Sequence, residues 1–371
     1  MRVIVIGSGI GGAACAFHLV RRGVDTVVVD AGVAGTATSA GAGIVSPWTS
    51  HREDDAEFAL AAAAGAYYRT LVDELAADGV TDSSFEIVGG MVVSPDESVL
   101  AAGYERLSER AARWPELGEV HRLDPARARE LFPVLAEDFG AVHFSGAGRV
   151  DGRVMREALS RAAERHGART VSGTAELRVT GDRVRGVEVD GERVDGDVVV
   201  VAAGAWSPSV LAPLGVSLPV EPQRGQISHF TLPGVDTSTW PVVLPQTGHY
   251  LLAFPGSRVV AGATRETGAG FDHRVTAEGQ REVLEHALRV APGLSTATLA
   301  ETRVGFRPAT PDGLPVIGAL DGHPEVVLAT GFGPAGLTVA PYAGRLVAQL
   351  VLGEEPDTPL DVVAPRRFRN G

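Results

Sequence analysis

Lysine is absent from this chain of 371 residues, and all 33 basic side chains are arginine. A catalytic ammonium group or a lysine Schiff base is therefore excluded. Cysteine is almost as scarce: the single thiol, Cys15, excludes an internal disulfide and is expected to pack as a small apolar residue. The formal charge of −13 argues against nucleic acid or an anionic membrane surface as a partner.

Long apolar segments are lacking as well. The longest apolar run, residues 198–206, is far shorter than the ~20 residues that a membrane helix needs. A strand pattern that begins at Val3 leaves no room for a signal peptide. We therefore expect a cytoplasmic protein without an integral membrane segment, and no bound metal. The length predicts about two domains.

The most informative pattern lies at the start of the chain. Residues 3–6 read as a buried strand, and residues 7–12 have the sequence Gly-Ser-Gly-Ile-Gly-Gly. A helix is predicted over residues 13–22 and a second strand over 26–29, directly before Asp30. A strand, a glycine-rich turn, a helix, a strand and an acid in this order are typical of a Rossmann unit that binds a dinucleotide.

Each of these residues has a physical reason to be there. Gly7 permits the tight turn, Gly9 lets the backbone approach the pyrophosphate, and Gly12 lets helix and strand pack closely. The helix N-terminus offers N–H groups and the positive end of a dipole to the phosphates. Asp30 is placed to accept hydrogen bonds from the ribose hydroxyls of the adenosine half.

Nucleotide-domain patterns recur in the middle and at the end of the chain. Residues 197–203 and 326–330 read as buried parallel strands, and the second of these leads into a helix that ends near residue 352. The segments between are rich in β patterns. We therefore predict a nucleotide-binding domain from residues 1–79, 143–217 and 304–371, and a second domain from residues 80–142 and 218–303.

Six signatures in order carry a resemblance to a known family. They are the first turn with Asp30, residues 38–44, residues 199–206, residues 262–272, residues 305–318 and residues 330–336. With them the chain resembles the D-amino-acid oxidase superfamily of FAD-dependent oxidoreductases, particularly its glycine oxidase, sarcosine oxidase and D-amino-acid dehydrogenase branches. The resemblance implies an α/β fold of the glutathione-reductase-like, D-amino-acid oxidase type. In that fold a Rossmann-type FAD-binding domain carries a second, mainly antiparallel β substrate domain.

The same resemblance and the residues themselves predict the FAD site. The small residues 39–43 let the backbone run beside the pyrophosphate and the flavin edge, and the backbone of Glu176 should meet the adenine. FAD is expected to be held without a covalent bond. The predicted cofactor-binding residues are Gly7, Gly9, Ile10, Gly12, Asp30, Ala31, Thr38, Ser39, Ala40, Gly43, Ile44, Glu176, Ala203, Gly204, Trp206, Gly305, Arg307, Gly331, Gly333, Pro334, Ala335, Gly336, Leu337 and Thr338.

Arg307 is the strongest candidate for substrate binding. A guanidinium matches a carboxylate with two parallel hydrogen bonds, which would orient the substrate α-carbon towards flavin N5. Tyr250 matches a family tyrosine whose hydroxyl helps to bind that carboxylate. Trp48, His51 and His249 are weaker candidates for the substrate pocket.

Two departures from the family pattern affect the choice of subtype. Glycine oxidase-like members carry a second arginine where this chain has Pro334. Members of the monomeric sarcosine oxidase type hold FAD through a cysteine near the C-terminus and activate oxygen with a lysine. This chain has neither residue, which disfavours that subtype.

The sequence therefore predicts FAD-dependent oxidative deamination of a small amino acid: a D-amino acid, glycine or an N-substituted glycine. The hydride would pass from the α-carbon to flavin N5, with O₂ or a quinone-like compound as electron acceptor. The alternatives are an N-demethylating sarcosine-type oxidase or dehydrogenase, and a non-catalytic FAD-binding electron-transfer subunit of a complex. A flavin monooxygenase or an NAD(P)-linked reductase would need motifs that are absent. The substrate side chain, its stereochemistry and the oligomeric state stay open, a homo-oligomer included.

Overall fold

The computed structural model describes residues 1–50 and 55–368. Within these residues the helices are α1 Ile10–Val20, α2 Ala37–Ala40, α3 Asp55–Ala77, α4 Glu97–Arg113, α5 Pro125–Leu131, α6 Gly152–Arg165, α7 Ser207–Leu211, α8 Ala277–Val290 and α9 Gly336–Val351. The strands are β1 Arg2–Ile6, β2 Asp25–Asp30, β3 Ile44–Val45, β4 Glu86–Ile87, β5 Gly90–Ser94, β6 Val120–Leu123, β7 Gly140–Phe144, β8 Gly148–Arg149, β9 Arg169–Ser172, β10 Ala175–Thr180, β11 Arg183–Val189, β12 Glu192–Asp195, β13 Val198–Val201, β14 Glu221–Thr231, β15 Val242–Leu244, β16 Tyr250–Phe254, β17 Arg258–Gly262, β18 Thr298–Ala309, β19 Val316–Leu320 and β20 His323–Thr330.

The nucleotide-type sheet has six strands in the order β19-β20-β13-β1-β2-β9. All neighbours pair in parallel except β19, which runs antiparallel to β20. Alternate residues of β1 enter different cores. Val3 and Val5 pack with the helical layer of α1, α3, α6 and α9, whereas Ile4 and Ile6 pack with β10, β11 and the region of α7. Burial on both faces explains why β1 and β13 are continuously apolar.

The second large sheet has eight strands in the order β18-β14-β17-β16-β15-β5-β7-β6. Its pairs are antiparallel except β15 with β5. The two large sheets confirm the predicted combination of a Rossmann-type sheet and a mainly antiparallel one. Two three-stranded sheets, β10-β11-β12 and β3-β8-β4, complete the strand pairing of the described residues.

Two of the predicted domain limits fall inside strands of this eight-stranded sheet. The limit at 142/143 divides β7, and the limit at 303/304 divides β18. Because a strand cannot be shared between two independent sheets, we propose that both whole strands belong to the second domain. The site described below lies where the C-terminal part of β18, still paired with β14, approaches the loops at the carboxyl edge of the nucleotide-type sheet.

A helix that crosses a membrane must be both long and apolar. No helix within residues 1–50 and 55–368 meets both conditions.

A buried histidine on β14 should make the fold sensitive to acid. His229 is 3% exposed, and neither of its ring nitrogens has a hydrogen-bond partner among the described residues. Burial lowers the pKa of His229 to about 4, helped by nearby Arg303 and opposed by Glu301. The unfolded chain binds the same proton near pH 6.5. Protonation therefore favours the unfolded state as the pH falls from about 6.5 towards 4.

Substitution of His229 by phenylalanine is expected to remove this acid sensitivity. The measured quantity is the free energy of unfolding of His229→Phe minus that of wild type. This difference should be about 2 kcal/mol larger at pH 5 than at pH 8. Denaturant unfolding at both pH values, at a fixed FAD concentration, measures the difference. His121→Phe, at an exposed position on β6, is the control. An equal effect of His229→Phe at both pH values would contradict the prediction.

Candidate active site

The first turn is built by close approaches of backbone to backbone. Gly7 has φ +100°, and a Cβ atom there would lie 2.6 Å from the carbonyl oxygen of Ala202 on the neighbouring strand. A Cβ atom at Gly12 would clash with the carbonyl oxygen of Gly7. Both glycines therefore let α1 begin directly above the end of β1. This geometry matches the roles predicted for them from the sequence.

Asp30 ends β2 beside this turn. Its Oδ2 accepts a hydrogen bond from the backbone N–H of Ser8 at 2.6 Å, and its Oδ1 accepts one from Gly32 at 2.8 Å. The two bonds fix the carboxylate at the carboxyl edge of the sheet, where ligands of open α/β folds bind. Each oxygen retains a lone pair that can accept from a ribose hydroxyl.

One long cavity of about 470 Å³ runs along this edge of the sheet. It passes from the first turn and Asp30 to the side chains of Tyr250 and Arg307. The predicted cofactor-binding residues that line it are Gly7, Gly9, Ile10, Asp30, Ala31, Thr38, Ala40, Gly43, Ile44, Glu176, Ala203, Gly204, Trp206, Gly305, Arg307, Gly333, Pro334, Gly336 and Leu337. Many of them are glycine or alanine, so the backbone itself forms much of the wall.

Five predicted cofactor-binding residues lie behind this wall rather than in it: Gly12, Ser39, Gly331, Ala335 and Thr338. Their places have structural reasons. Thr338 donates a hydrogen bond to the carbonyl oxygen of Ile44 at 3.0 Å, which ties α9 to β3. The carbonyl oxygen of Ser39 accepts from Arg153 at 2.8 Å. A Cβ atom at Gly331 would lie 2.8 Å from Val316. These residues support the wall.

Arg307 and Tyr250 meet at the far end of the cavity. Nη1 of Arg307 donates to the carbonyl oxygen of Thr264 at 3.0 Å, and the nearby guanidinium charge favours the ionised form of Tyr250. Tyr250 lies opposite Gly262 in the β16–β17 pair, with its ring over that glycine. The strand registers of the eight-stranded sheet thus bring together two residues that are far apart in the chain.

The electrostatics of this pair suit an anionic ligand. Burial lowers the pKa of Arg307, yet an arginine keeps its charge under all physiological conditions. Burial raises the pKa of Tyr250, although the neighbouring Arg307 and Arg265 oppose this, so its hydroxyl stays protonated and can donate. Among the described residues, no carboxylate lies within 4.0 Å of the Arg307 guanidinium. The pair therefore presents a positive charge and an O–H donor to the cavity.

Two residues predicted for the substrate pocket lie elsewhere, and these predictions were wrong. Trp48 is 2% exposed, packs on Phe58 and donates from Nε1 to the carbonyl oxygen of Gly146. His249 stacks on His286 with ring centroids 3.7 Å apart. It precedes Tyr250 directly, and side chains of successive strand residues point to opposite faces. His51 lies outside the described residues.

Gly225 and Ile227 on β14 line the cavity but were missed in the sequence. A Cβ atom at Gly225 would lie 2.5 Å from Nη1 of Arg307, so the missing side chain makes room for the guanidinium. A glycine inside a strand pattern signals such a close approach and could have identified the position.

Aromatic rings join the two large sheets beside the cavity. Phe306 stands edge-on to Trp206 at 6.0 Å and to Phe271 at 5.3 Å, while Trp206 and Phe271 stack at 4.8 Å. The backbone N–H of Phe306 also donates to the carbonyl oxygen of Gly35 at 2.9 Å. The chain directly before Arg307 is therefore anchored to the nucleotide-type half.

A family model for FAD-dependent oxidoreductases, the DAO family, matches residues 2–350. The chain belongs to this family. It is accordingly an FAD-dependent oxidoreductase that acts on the C–N bonds of amino acids or amines, as the sequence predicted. The predicted fold of the D-amino-acid oxidase type and the predicted cofactor FAD are confirmed as well.

Three similar proteins cover almost the whole chain. The oxidoreductase YurR of Bacillus subtilis is 43% identical, with 98% of each chain covered. The glycine oxidase of Pseudomonas putida is 31% identical, with 96% of this chain and 95% of the relative covered. Iminodiacetate oxidase from Chelativorans has a crystal structure and is 44% identical in sequence. Its structure superposes with a TM-score of 0.95 over 98% of this chain and 99% of that one.

The residues of the cavity fit FAD. The first turn and the N-terminus of α1 would hold the pyrophosphate, Asp30 the ribose and Glu176 the adenine end. At the other end, the glycines and alanines of residues 41–43 and Gly333 leave room for the isoalloxazine. Bound in this order along the cavity, FAD would have its reactive part beside Arg307 and Tyr250.

FAD is expected to leave the denatured protein completely. Cys15 is fully buried in α1, and burial raises the pKa of its thiol to about 12, so it is an inert thiol away from the cavity. Acid precipitation followed by filtration should release all of the yellow flavin into the filtrate. Absorbance of the filtrate and of the redissolved pellet measures both fractions. Flavin retained on the pellet would contradict non-covalent binding.

Proposed function

We propose that the chain catalyses the oxidative deamination of glycine, an N-substituted glycine or a small D-amino acid at the α-carbon. The observation that carries this proposal is the meeting of Arg307 and Tyr250 at the flavin end of the cavity, with no protein carboxylate within ion-pair distance of that guanidinium among the described residues. A carboxylate there would accept two hydrogen bonds from the guanidinium and one from the phenol.

The protein acts chiefly by positioning. With its carboxylate on Arg307, the substrate has only its α-carbon and amine free to turn towards the rest of the cavity. FAD, when bound, supplies the acceptor for the hydride and its two electrons. The amine enters unprotonated, and its lone pair forms the C=N bond of the imine as the α-C–H bond breaks. Water then hydrolyses the imine to a keto acid and an amine.

Among the described residues that line this end of the cavity, no side chain is suited to remove a proton. Arg307 stays charged and Tyr250 stays a neutral phenol, for the reasons given above. The remaining described residues nearby, such as Ile227, Gly225 and Pro334, carry no titratable group. This composition supports hydride transfer from a neutral amine, which needs no general base.

The substrate range is proposed from the site and from the similar proteins. The names glycine oxidase and iminodiacetate oxidase both denote enzymes that act on glycine units, the second with a carboxymethyl group on nitrogen. Pro334 lines the cavity where glycine oxidase-like members carry a second arginine. Among the three classes we therefore favour an N-substituted glycine.

We further propose that O₂ is the electron acceptor. Two of the similar proteins are named oxidases. A positive charge near the flavin favours reduction of oxygen, and in a chain without lysine Arg307 can supply it. The competing acceptor is a quinone or a dye. Anaerobic reduction by substrate, followed by mixing with air-saturated buffer, separates the two: reoxidation within seconds with stoichiometric H₂O₂ supports an oxidase, and reoxidation over many minutes supports a dehydrogenase.

The non-catalytic alternative, an FAD-binding subunit that only passes electrons, makes a different prediction for the isolated chain. An anaerobic screen would mix the holoprotein with glycine, N-methylglycine, iminodiacetate and the two enantiomers of alanine and proline. Loss of flavin absorbance with at least one glycine derivative or D-amino acid supports the proposal. No loss with any of them, while dithionite still bleaches the flavin, would favour the electron-passing subunit.

A further inference from the structure

A second guanidinium, that of Arg265, is not among the residues that line the cavity but lies close enough to Tyr250 and Arg307 to act electrostatically on both. Its side chain is exposed, and Nη2 is 3.5 Å from the carbonyl oxygen of Gly248. Gly248 and Arg265 continue the β16–β17 pair beyond Tyr250 and Gly262, which lie opposite each other. Arg265 also directly follows Thr264, whose carbonyl oxygen accepts from Arg307. The connection through these short segments keeps Arg265 near Arg307 and Tyr250.

No carboxylate of the described residues neutralises Arg265. The adjacent carboxylate, Glu266, is directed to other partners: Arg224 at 2.5 and 3.0 Å, Gln226 at 2.8 Å and the hydroxyl of Thr264 at 2.7 Å. Within residues 1–50 and 56–368, no carboxylate lies within 4.0 Å of Arg265. Other arginines of this sheet, its loops and α8 are paired: Arg224 with Glu266, Arg274 with Asp272, Arg281 with Glu278 and Arg303 with Glu301.

Arg265 and Arg307 therefore both place a positive charge near Tyr250. Both favour the ionised form of Tyr250, and the charge of Arg265 contributes to the lowered pKa of Arg307. Two like charges without a counter-ion repel each other, and a ligand that brings two negative charges relieves this repulsion. A ligand with one carboxylate satisfies only the inner guanidinium.

We propose that Arg265 binds a second carboxylate of the substrate, so that the preferred substrates are secondary amines with a carboxymethyl group on each side of the nitrogen. One carboxylate would lie on Arg307 and Tyr250, and the other would lie on Arg265. This inference rests on the proposed function, because it takes Arg307 as the binding residue for the first carboxylate. It assigns to Arg265 a role in specificity and none in the chemical step.

Two inert oxygen analogues test the assignment by equilibrium binding to the holoenzyme. Diglycolate has two carboxylates, methoxyacetate has one, and neither has an amine that can be oxidised. In titration calorimetry, Arg265→Ala should weaken diglycolate binding about tenfold and change methoxyacetate binding by less than about twofold. With iminodiacetate and N-methylglycine as substrates, the same variant should raise KM for the first alone and leave both kcat values unchanged.

Two control variants make the outcomes distinct. Arg281→Ala removes an equally exposed charge from α8, at an arginine paired with Glu278 and Glu285, and should leave both affinities unchanged. Arg307→Ala should weaken both ligands. If Arg307→Ala weakens both but Arg265→Ala weakens neither, or weakens both equally, the second carboxylate site is wrong and the proposed function stands. If Arg307→Ala leaves methoxyacetate binding intact, the proposed function itself fails.

Discussion

Replacing Arg307 by alanine is expected to lower kcat/KM, with a loss of transition-state stabilisation of roughly 2–5 kcal/mol. The flavin spectrum should stay normal. The guanidinium is the charged partner for the substrate carboxylate at the end of the cavity. Without it, a carboxylate entering this confined site would be desolvated and unpaired. Steady-state kinetics with the best substrate of the anaerobic screen, together with the FAD content of each preparation, measures the effect.

The matched control lies on the same strand. Arg303→Ala removes an arginine that pairs with Glu301, and it should leave kcat/KM nearly unchanged. Arg307→Lys should recover only part of the loss, because an ammonium group cannot form two parallel hydrogen bonds. If Arg307→Ala oxidises the best substrate within about threefold of wild type, a change under about 1 kcal/mol, carboxylate binding by Arg307 is wrong.

Gly12→Ala is expected to destabilise the fold by about 3 kcal/mol or more and to yield protein with little FAD. A methyl group there would clash with the carbonyl oxygen of Gly7, and backbone atoms cannot move aside as a flexible side chain can. Gly11→Ala is the control from the same helix. Its Cβ would approach Phe332 at 3.3 Å and Ala340 at 3.7 Å, so its stability should stay within about 1 kcal/mol of wild type.

Gly9→Ala separates cofactor binding from folding. A Cβ atom at Gly9 would meet only the hydroxyl of Thr38, at 3.4 Å, and would otherwise point into the cavity. The apoprotein should therefore melt as wild type does, whereas FAD should bind about tenfold more weakly or worse because the methyl group takes space needed by the pyrophosphate. Thermal melts of the apoproteins and FAD titrations of all three variants test both statements. Equal FAD affinity of Gly9→Ala and wild type would contradict the assigned path of the cofactor.

The nucleotide-binding half could be read from the sequence because its decisive contacts are local. Gly7, Gly12 and Asp30 lie within the first 30 residues, and the strand, turn and helix that they join follow one another directly. The apolar run at 197–203 was likewise correctly predicted as a buried parallel strand, β13, because only a strand covered on both faces has a continuous apolar pattern.

The division of small residues between wall and support could not be read in the same way. Gly331 and Gly333 are two residues apart in one turn, yet Gly333 lines the cavity and Gly331 packs against Val316. A glycine suits both places, the cavity wall and the packed turn. The residue type alone therefore does not show which glycine lines the cavity. The direction in which the absent side chain would point is set by the backbone of the folded turn.

The sequence by itself determined the Rossmann unit, the family, the FAD cofactor and Arg307 as the candidate for substrate binding, since each depends on a short motif whose residues act together. Only the tertiary structure decided that Tyr250 rather than the adjacent His249 faces the cavity, that Trp48 belongs to the core, and that Gly225 makes room for the guanidinium. The contacts of Tyr250 and Gly225 join β14, the β16–β17 hairpin and β18, which lie apart in the chain. Their registers and the alternation of side chains across the sheet fix which residues meet, and neither is encoded in any one segment.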